Sequence, residues 1–219
     1  MTDPALAALL RRHPVLFHMA ECGAWPSIRD HGLLSTSALL DLYRVCGQDR
    51  VAIEERRRPA GVGLAAAGLP GARIRDQRPM SDAGLRRCLC GGVTPAAWYR
   101  LLNGKVFFWL TEARLAKLLA ARPYRDAAHD VLELAAAPLV AAYRDAITLS
   151  PINSGSTIRR PAPRGPDTFR TVDAYDDPRP IVELAVTGGI PDIARFVTRV
   201  TRRRGAEVLA VLFSAGAVR

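Results

Sequence analysis

Four short segments of the chain carry the residue types from which a site for group transfer could be assembled. Ile181 to Val186 (IVELAV) sets the carboxylate of Glu183 inside an apolar run of strand type. Strand alternation groups Glu183 with Ile181 and Ala185 on one face, opposite Val182 and Leu184. An isolated glutamate on such a strand ordinarily faces water. Phe17 to Ala20 (FHMA) holds His18 in a second apolar run. A histidine there is ordinarily a core residue whose nitrogens have found partners. Phe107, Phe108 and Trp109 form an aromatic triplet, half of whose rings should face inward, and core packing is their plainest use. Ser150 to Ser156 (SPINSGS) is a polar, turn-rich loop.

Metal and common nucleotide signatures are missing. There is no C-x-x-C among Cys22, Cys46, Cys88 and Cys90, and Cys88 and Cys90 stand too close for a zinc knuckle. The four histidines, His13, His18, His31 and His129, have no metal-ligand spacing, so no metal is expected. Walker A, G-x-G-x-x-G, H-E-x-x-H and G-x-S-x-G motifs are not found.

The elements that must position these residues follow from pattern and punctuation. Helices are expected over 4–12, from Trp25 to His31 with a stop at Gly32, and from Ala38 to Val45 behind a Ser37 cap. Thr94-Pro95 and Thr111 open two more helices. Strands are expected at Val15–Met19, Lys105–Leu110, Val131–Leu134, Ile147–Leu149 and Ile181–Val186, with a final buried strand at Glu207–Phe213. The Gly-, Pro- and Arg-rich stretch 47–80 reads as an irregular surface excursion, and 150–180, with six prolines, as a long loop. Helices gather in the first half and strands in the second, which predicts an α+β fold. The whole of 1–219 reads as one domain with an irregular insertion around 47–80.

Composition narrows the function classes. The 219 residues are 49% hydrophobic and 24% charged, which excludes a disordered chain, a collagen and a disulfide scaffold. No apolar run approaches ~20 residues, so no transmembrane helix is expected. The N-terminal segment lacks a signal-peptide layout, and the expected compartment is the cytoplasm. The net charge is +10, carried almost wholly by arginine because Lys105 and Lys117 are the only lysines. GC-rich coding explains the Arg-to-Lys ratio but not the excess of positive charge. Arginine's planar fork matches phosphate oxygens, so a nucleic acid or another phosphate-bearing partner is expected. The arginines cluster at Arg56–Arg58, at Arg159, Arg160 and Arg164, and at Arg199 with Arg202–Arg204.

Taken in order, the four segments resemble DarT-type ADP-ribosyltransferases. Phe17 to Leu34 (FHMAECGAWPSIRDHGLL) is similar to the opening strand and helix of that family. Asn103 to Leu119 resembles its aromatic strand and following helix, and Val131 to Ser156 its next strand, helix and loop. Val182 to Val197 (VELAVTGGIPDIARFV) resembles the segment that carries its catalytic glutamate. The segments HGLLSTSALLD and LSPINSGSTIRRPAPRG also resemble a bacterial domain family of unassigned activity. The resemblance implies two small β-sheets around a cleft, NAD as substrate, and transfer of ADP-ribose to a base of DNA or RNA.

It further implies Glu183 as the catalytic carboxylate; Glu207, which precedes another expected strand but lacks the downstream Gly-Ile-Pro-Asp-Ile pattern, is the rival, and Glu133 the third choice. His18, Phe108 or Trp109, and an arginine (Arg75 or Arg78) would hold NAD, and Asn153, Ser154 and Arg159 would line the acceptor side. Two family hydroxyls are lost, at Ala20 and Phe108. Those losses favour one alternative, an inactive nucleotide- or nucleic-acid-binding module; the other alternative keeps the fold and takes a small molecule or protein as acceptor. A toxin of this kind would have a neutralising partner protein.

Overall fold

The chain opens with α1 (Asp3–Arg12), β1 (Val15–Glu21), α2 (Trp25–His31), β2 (Leu33–Leu34), α3 (Thr36–Leu42) and α4 (Gly47–Glu54). A hairpin of β3 (Val62–Leu64) and β4 (Ala72–Ile74) leads to α5 (Asp82–Cys88), α6 (Pro95–Asn103), β5 (Lys105–Trp109) and α7 (Glu112–Leu119). Then come β6 (Ala128–Ala135), α8 (Ala136–Tyr143), β7 (Ile147–Ser150), β8 (Arg170–Thr171) and β9 (Glu183–Thr187). The chain closes with β10 (Gly189–Ile190), β11 (Val197–Arg204) and β12 (Glu207–Ser214). This computed structural model describes residues 1–158 and 161–216.

The fold is α+β. Eight strands form one antiparallel sheet in the order β12-β11-β6-β1-β5-β9-β7-β8, and β10–β2 and β3–β4 form separate pairs. The large sheet is narrowest at its centre. β1 and β6 are registered over seven residue pairs, whereas β1 and β5 share one, Phe17 with Trp109. Beyond that pair a side chain bridges the two strands: the His18 ring bonds the Phe107 carbonyl at 2.9 Å.

Alternation sorts the sheet into two faces. Leu16, Val106, Phe108, Leu132, Leu134, Leu184 and Val186 enter the main core, where α1, α2 and α8 supply Leu6, Trp25 and Leu139. Phe17, Met19 and Val131 point the other way and pack under Leu115 and Leu119 of α7. Several helix starts have a local cause. Thr94 and Thr111 accept from the N–H groups of Ala97 and Arg114, as the sequence predicts. The α3 cap is Ser35 rather than Ser37, because the helix begins at Thr36. After β9, Gly188 and Gly189 turn with φ of 80° and 137°. A Cβ on Gly189 would lie 2.8 Å from the Leu33 carbonyl, so only glycine lets β10 reach β2.

Three expectations change. The stretch 47–80 is ordered: α4 and the β3–β4 hairpin bury Ile53, Leu64 and Ile74 against Leu40 and Tyr43 of the α3 region. Residues 197–204, read as a basic cluster, form β11. Glu207–Ser214 is a strand, but it is the sheet's edge and exposes Val208, Leu209 and Val211. Among the described residues no helix is long and apolar enough to cross a membrane.

Candidate functional site

A cleft of about 890 Å³ lies against the sheet and is lined by His18, Arg75, Trp109, Asn153, Ser154 and Glu183. These residues come from five separate stretches of chain, and the register shows how they converge. Trp109 of β5 pairs with both Phe17 of β1 and Glu183 of β9, and Glu183 pairs in turn with Ser150 of β7. Ser150 begins the loop that folds back over Glu183.

Glu183 is 4% exposed. Its Oε2 accepts from the Ser154 hydroxyl at 2.6 Å and from the Ser154 backbone N–H at 3.2 Å. Oε1 has no hydrogen-bond partner among the described residues, and Glu183 lines the cleft. Burial pushes the carboxyl up from its ordinary value to about 7, against the pull of the Ser154 bonds and of the Arg164 and Arg114 charges. It stands ready to gain or lose a proton near neutral pH.

Arg164 holds the loop in place. It is 1% exposed, and its guanidinium donates to the carbonyls of Ser154 (2.8 Å), Ser156 (3.0 Å) and Ala162 (3.2 Å). Its own backbone is bonded to Cys88 and Cys90 on both sides. The expectation that Arg164 adds to a basic surface is therefore corrected: its charge is spent inside, on the loop that meets Glu183.

His18 faces the cleft at the narrow joint of the sheet. Because a carbonyl can only accept, Nδ1 carries the hydrogen toward Phe107 and Nε2 keeps a lone pair. Burial first, with a contribution from the Arg75 charge, holds its pKa down to about 4 despite the Phe107 bond, so the ring is neutral at pH 7. Arg75 donates to the Met19 carbonyl at 3.1 Å and lies 4.8 Å from the Tyr124 ring centroid. Six lysine and arginine side chains line the cleft against three carboxylates, Glu21, Asp76 and Glu183. The wall is therefore basic, whatever the bulk surface carries.

The remaining predicted residues fall elsewhere. Phe108 is 1% exposed in the main core, on the opposite face from Trp109. The ring that joins Trp109 in the cleft is Phe107. Arg78 is exposed, sits 3.8 Å from Asp76, and lines a recess of about 120 Å³ beside the cleft. Arg159 lies outside the described residues. Glu207 is exposed on the edge strand, and Glu133 pairs with Arg203 at 3.2 Å, so neither rival carboxylate reaches the cleft. Phe107 was legible in principle, since it shares the parity of Trp109. Arg164 and Arg114 gave no such signal.

A family model, described as a family of unknown function (DUF7002), matches residues 14–197. The chain belongs to the DUF7002 family. That DUF7002 match takes in every cleft residue named above and ends before β12. A comparison with curated proteins finds no match.

Proposed function

We propose that the cleft binds NAD and that the protein transfers its ADP-ribose to a base of DNA or RNA. The observation that carries this reading is Glu183: a buried carboxyl with one free oxygen, titrating near neutrality in the wall of a basic cleft. Breaking the nicotinamide–ribose bond builds positive charge on the ribose, as in glycoside cleavage. A fixed carboxylate in a water-poor site stabilises such a charge far better than water does.

In this reading neutral nicotinamide leaves, the ribose carbon bonds to a ring or exocyclic nitrogen of the base, and the proton lost by that nitrogen passes to Glu183. Neutral His18 accepts a ribose hydroxyl at Nε2. Phe107 and Trp109 offer faces for the nicotinamide ring, and Arg75 is the side chain suited to the pyrophosphate. The cleft volume falls in the range of small-molecule sites, about 300–1,000 Å³. The single-pair joint between β1 and β5 supports an ADP-ribosyltransferase-like arrangement of two half-sheets.

The basic wall and the net charge of +10 favour a polyanionic acceptor. Ala20, which has no hydroxyl to offer the ligand, favours the second reading, a nucleotide-binding module without turnover. Incubating the protein with NAD and single-stranded DNA or RNA, followed by mass spectrometry of the oligonucleotide, tests the proposal. An ADP-ribose adduct with wild type and none with Glu183→Gln is expected. No adduct on either polymer would remove the nucleic acid acceptor.

A further inference from the structure

Lys105 opens β5 and is 9% exposed in the cleft wall. Its ammonium donates to the hydroxyls of Thr148 on β7 (3.1 Å) and Thr187 on β9 (3.0 Å), and lies 5.2 Å from the Phe169 ring centroid. An ammonium has three N–H donors, so one is left over. No carboxylate among the described residues forms an ion pair with it.

A buried cation without a counter-ion is costly, and proteins ordinarily pair it. A mere tie between three strands would be served by an uncharged side chain. Arg58 repeats the pattern nearby. It is 7% exposed, lines the same cleft, and spends its donors on the carbonyls of Ile53 and Arg75 rather than on an acid. Asn103, two residues before Lys105, shares the Ile53 carbonyl with it. Burial lowers the pKa of both Lys105 and Arg58, the state a bound anion would reverse.

We propose that Lys105, which lines the cleft, and the exposed Thr187 just outside that lining form a phosphate subsite at the end of the sheet remote from Glu183. Thr148 points its hydroxyl toward the Ala185 carbonyl (3.5 Å), but the hydroxyl proton of Thr187 has no acceptor among the described residues. It is free to turn, with the third Lys105 N–H, toward a phosphate oxygen. Lys105 pairs with Thr187, and Trp109 with Glu183, four residues further along β5. At about 3.4 Å per residue the two ends lie on the order of 13 Å apart, so a ligand that reaches both is extended. The subsite goes beyond the transfer reading and requires no turnover. Its phosphate belongs either to the dinucleotide or to the acceptor strand.

Binding of inorganic pyrophosphate, NAD and a short oligodeoxythymidylate to wild type, Lys105→Met and Thr187→Val, with a thermal melt of each protein, tests the proposal. Pyrophosphate should raise the wild-type melting point. Lys105→Met should abolish that rise while melting no lower than wild type, because a buried charge gives way to an apolar chain of similar length. It should also weaken one of the larger ligands by about tenfold, the loss expected for a charge-assisted hydrogen bond. Loss against NAD assigns the phosphate to the dinucleotide, and loss confined to the oligonucleotide assigns it to the acceptor. Thr187→Val should weaken the same ligand less. The proposal is overturned if wild type ignores pyrophosphate, if Lys105→Met binds all three ligands as wild type does, or if it melts several degrees lower with binding unchanged.

Discussion

Ser154→Ala removes the hydroxyl that donates to Glu183 Oε2 at 2.6 Å and touches little else. The backbone N–H bond to the same oxygen stays, and so does the grip of Arg164 on the Ser154 carbonyl. A hydrogen bond to a charged group contributes about 1.5–3 kcal/mol. The lost bond favoured the carboxylate, so the proton should bind more tightly, and at about 1.4 kcal/mol per pH unit the half-titration point should rise by about one to two pH units. Glu183 already titrates at about 7. The ionised fraction at pH 7 should therefore fall from about half to roughly a tenth or less. Turnover that needs the carboxylate should fall about fivefold or more at pH 7 and recover as the pH is raised. Two assays read this: nicotinamide release across pH, and a carbon NMR titration of the Glu183 carboxyl. An acid limb that stays in place, or moves down, refutes the assignment of Ser154 as the group that holds the carboxylate form.

Other consequences follow from the same geometry. The folded-state pKa of Glu183 is raised from 4.5 to about 7, so the folded protein holds this proton more tightly than the unfolded chain. Its destabilising effect is absent below pH 4.5 and grows to about 3 kcal/mol as pH rises through 7. Glu183→Gln should therefore be more stable than wild type in urea at pH 8 but not at pH 4. His18 runs the opposite way. Its pKa falls from 6.5 to about 4, so the stability it contributes is full above pH 6.5 and is lost as the pH drops toward 4; His18→Gln should flatten that part of the stability curve. Arg164→Met strands three carbonyls and should cost about 3 kcal/mol or more in denaturant melts. Phe108→Ala should cost about 3–5 kcal/mol with little specific effect on ligand binding, whereas Trp109→Ala should weaken NAD in a binding titration at a smaller cost in stability.

The short elements were legible because their causes are local. Threonine caps, the proline after Thr94 and the glycine after His31 lie in the sequence beside the helices they bound. The identity of an edge strand is not local. Glu207 to Ser214 is apolar enough for a core, yet among the described residues no strand pairs with its outer edge, and only the strand order reveals that. β11 was hidden for a related reason. Its arginines are long chains whose heads find acids on neighbouring elements, Arg202 on Asp130 and Arg203 on Glu112 and Glu133. The candidate site was legible in its parts but not in its depth. Alternation alone sets Glu183 on a face that water would ordinarily wet. It is buried because Ser154, 29 residues earlier, folds over it, and that loop stands on Arg164. Parity along Lys105–Trp109 separates Phe108 from the cleft, a distinction that a motif comparison overrides.

The central claim is that Glu183 in this cleft breaks the nicotinamide–ribose bond of NAD. The direct measurement is nicotinamide release from NAD by wild type and by Glu183→Gln, each first shown by melting to be folded. The account predicts release by wild type and a fall of at least about a hundredfold in the variant, the scale seen when a preorganised electrostatic group is removed. Equal release by the two proteins, or none by either with and without DNA or RNA, would contradict it.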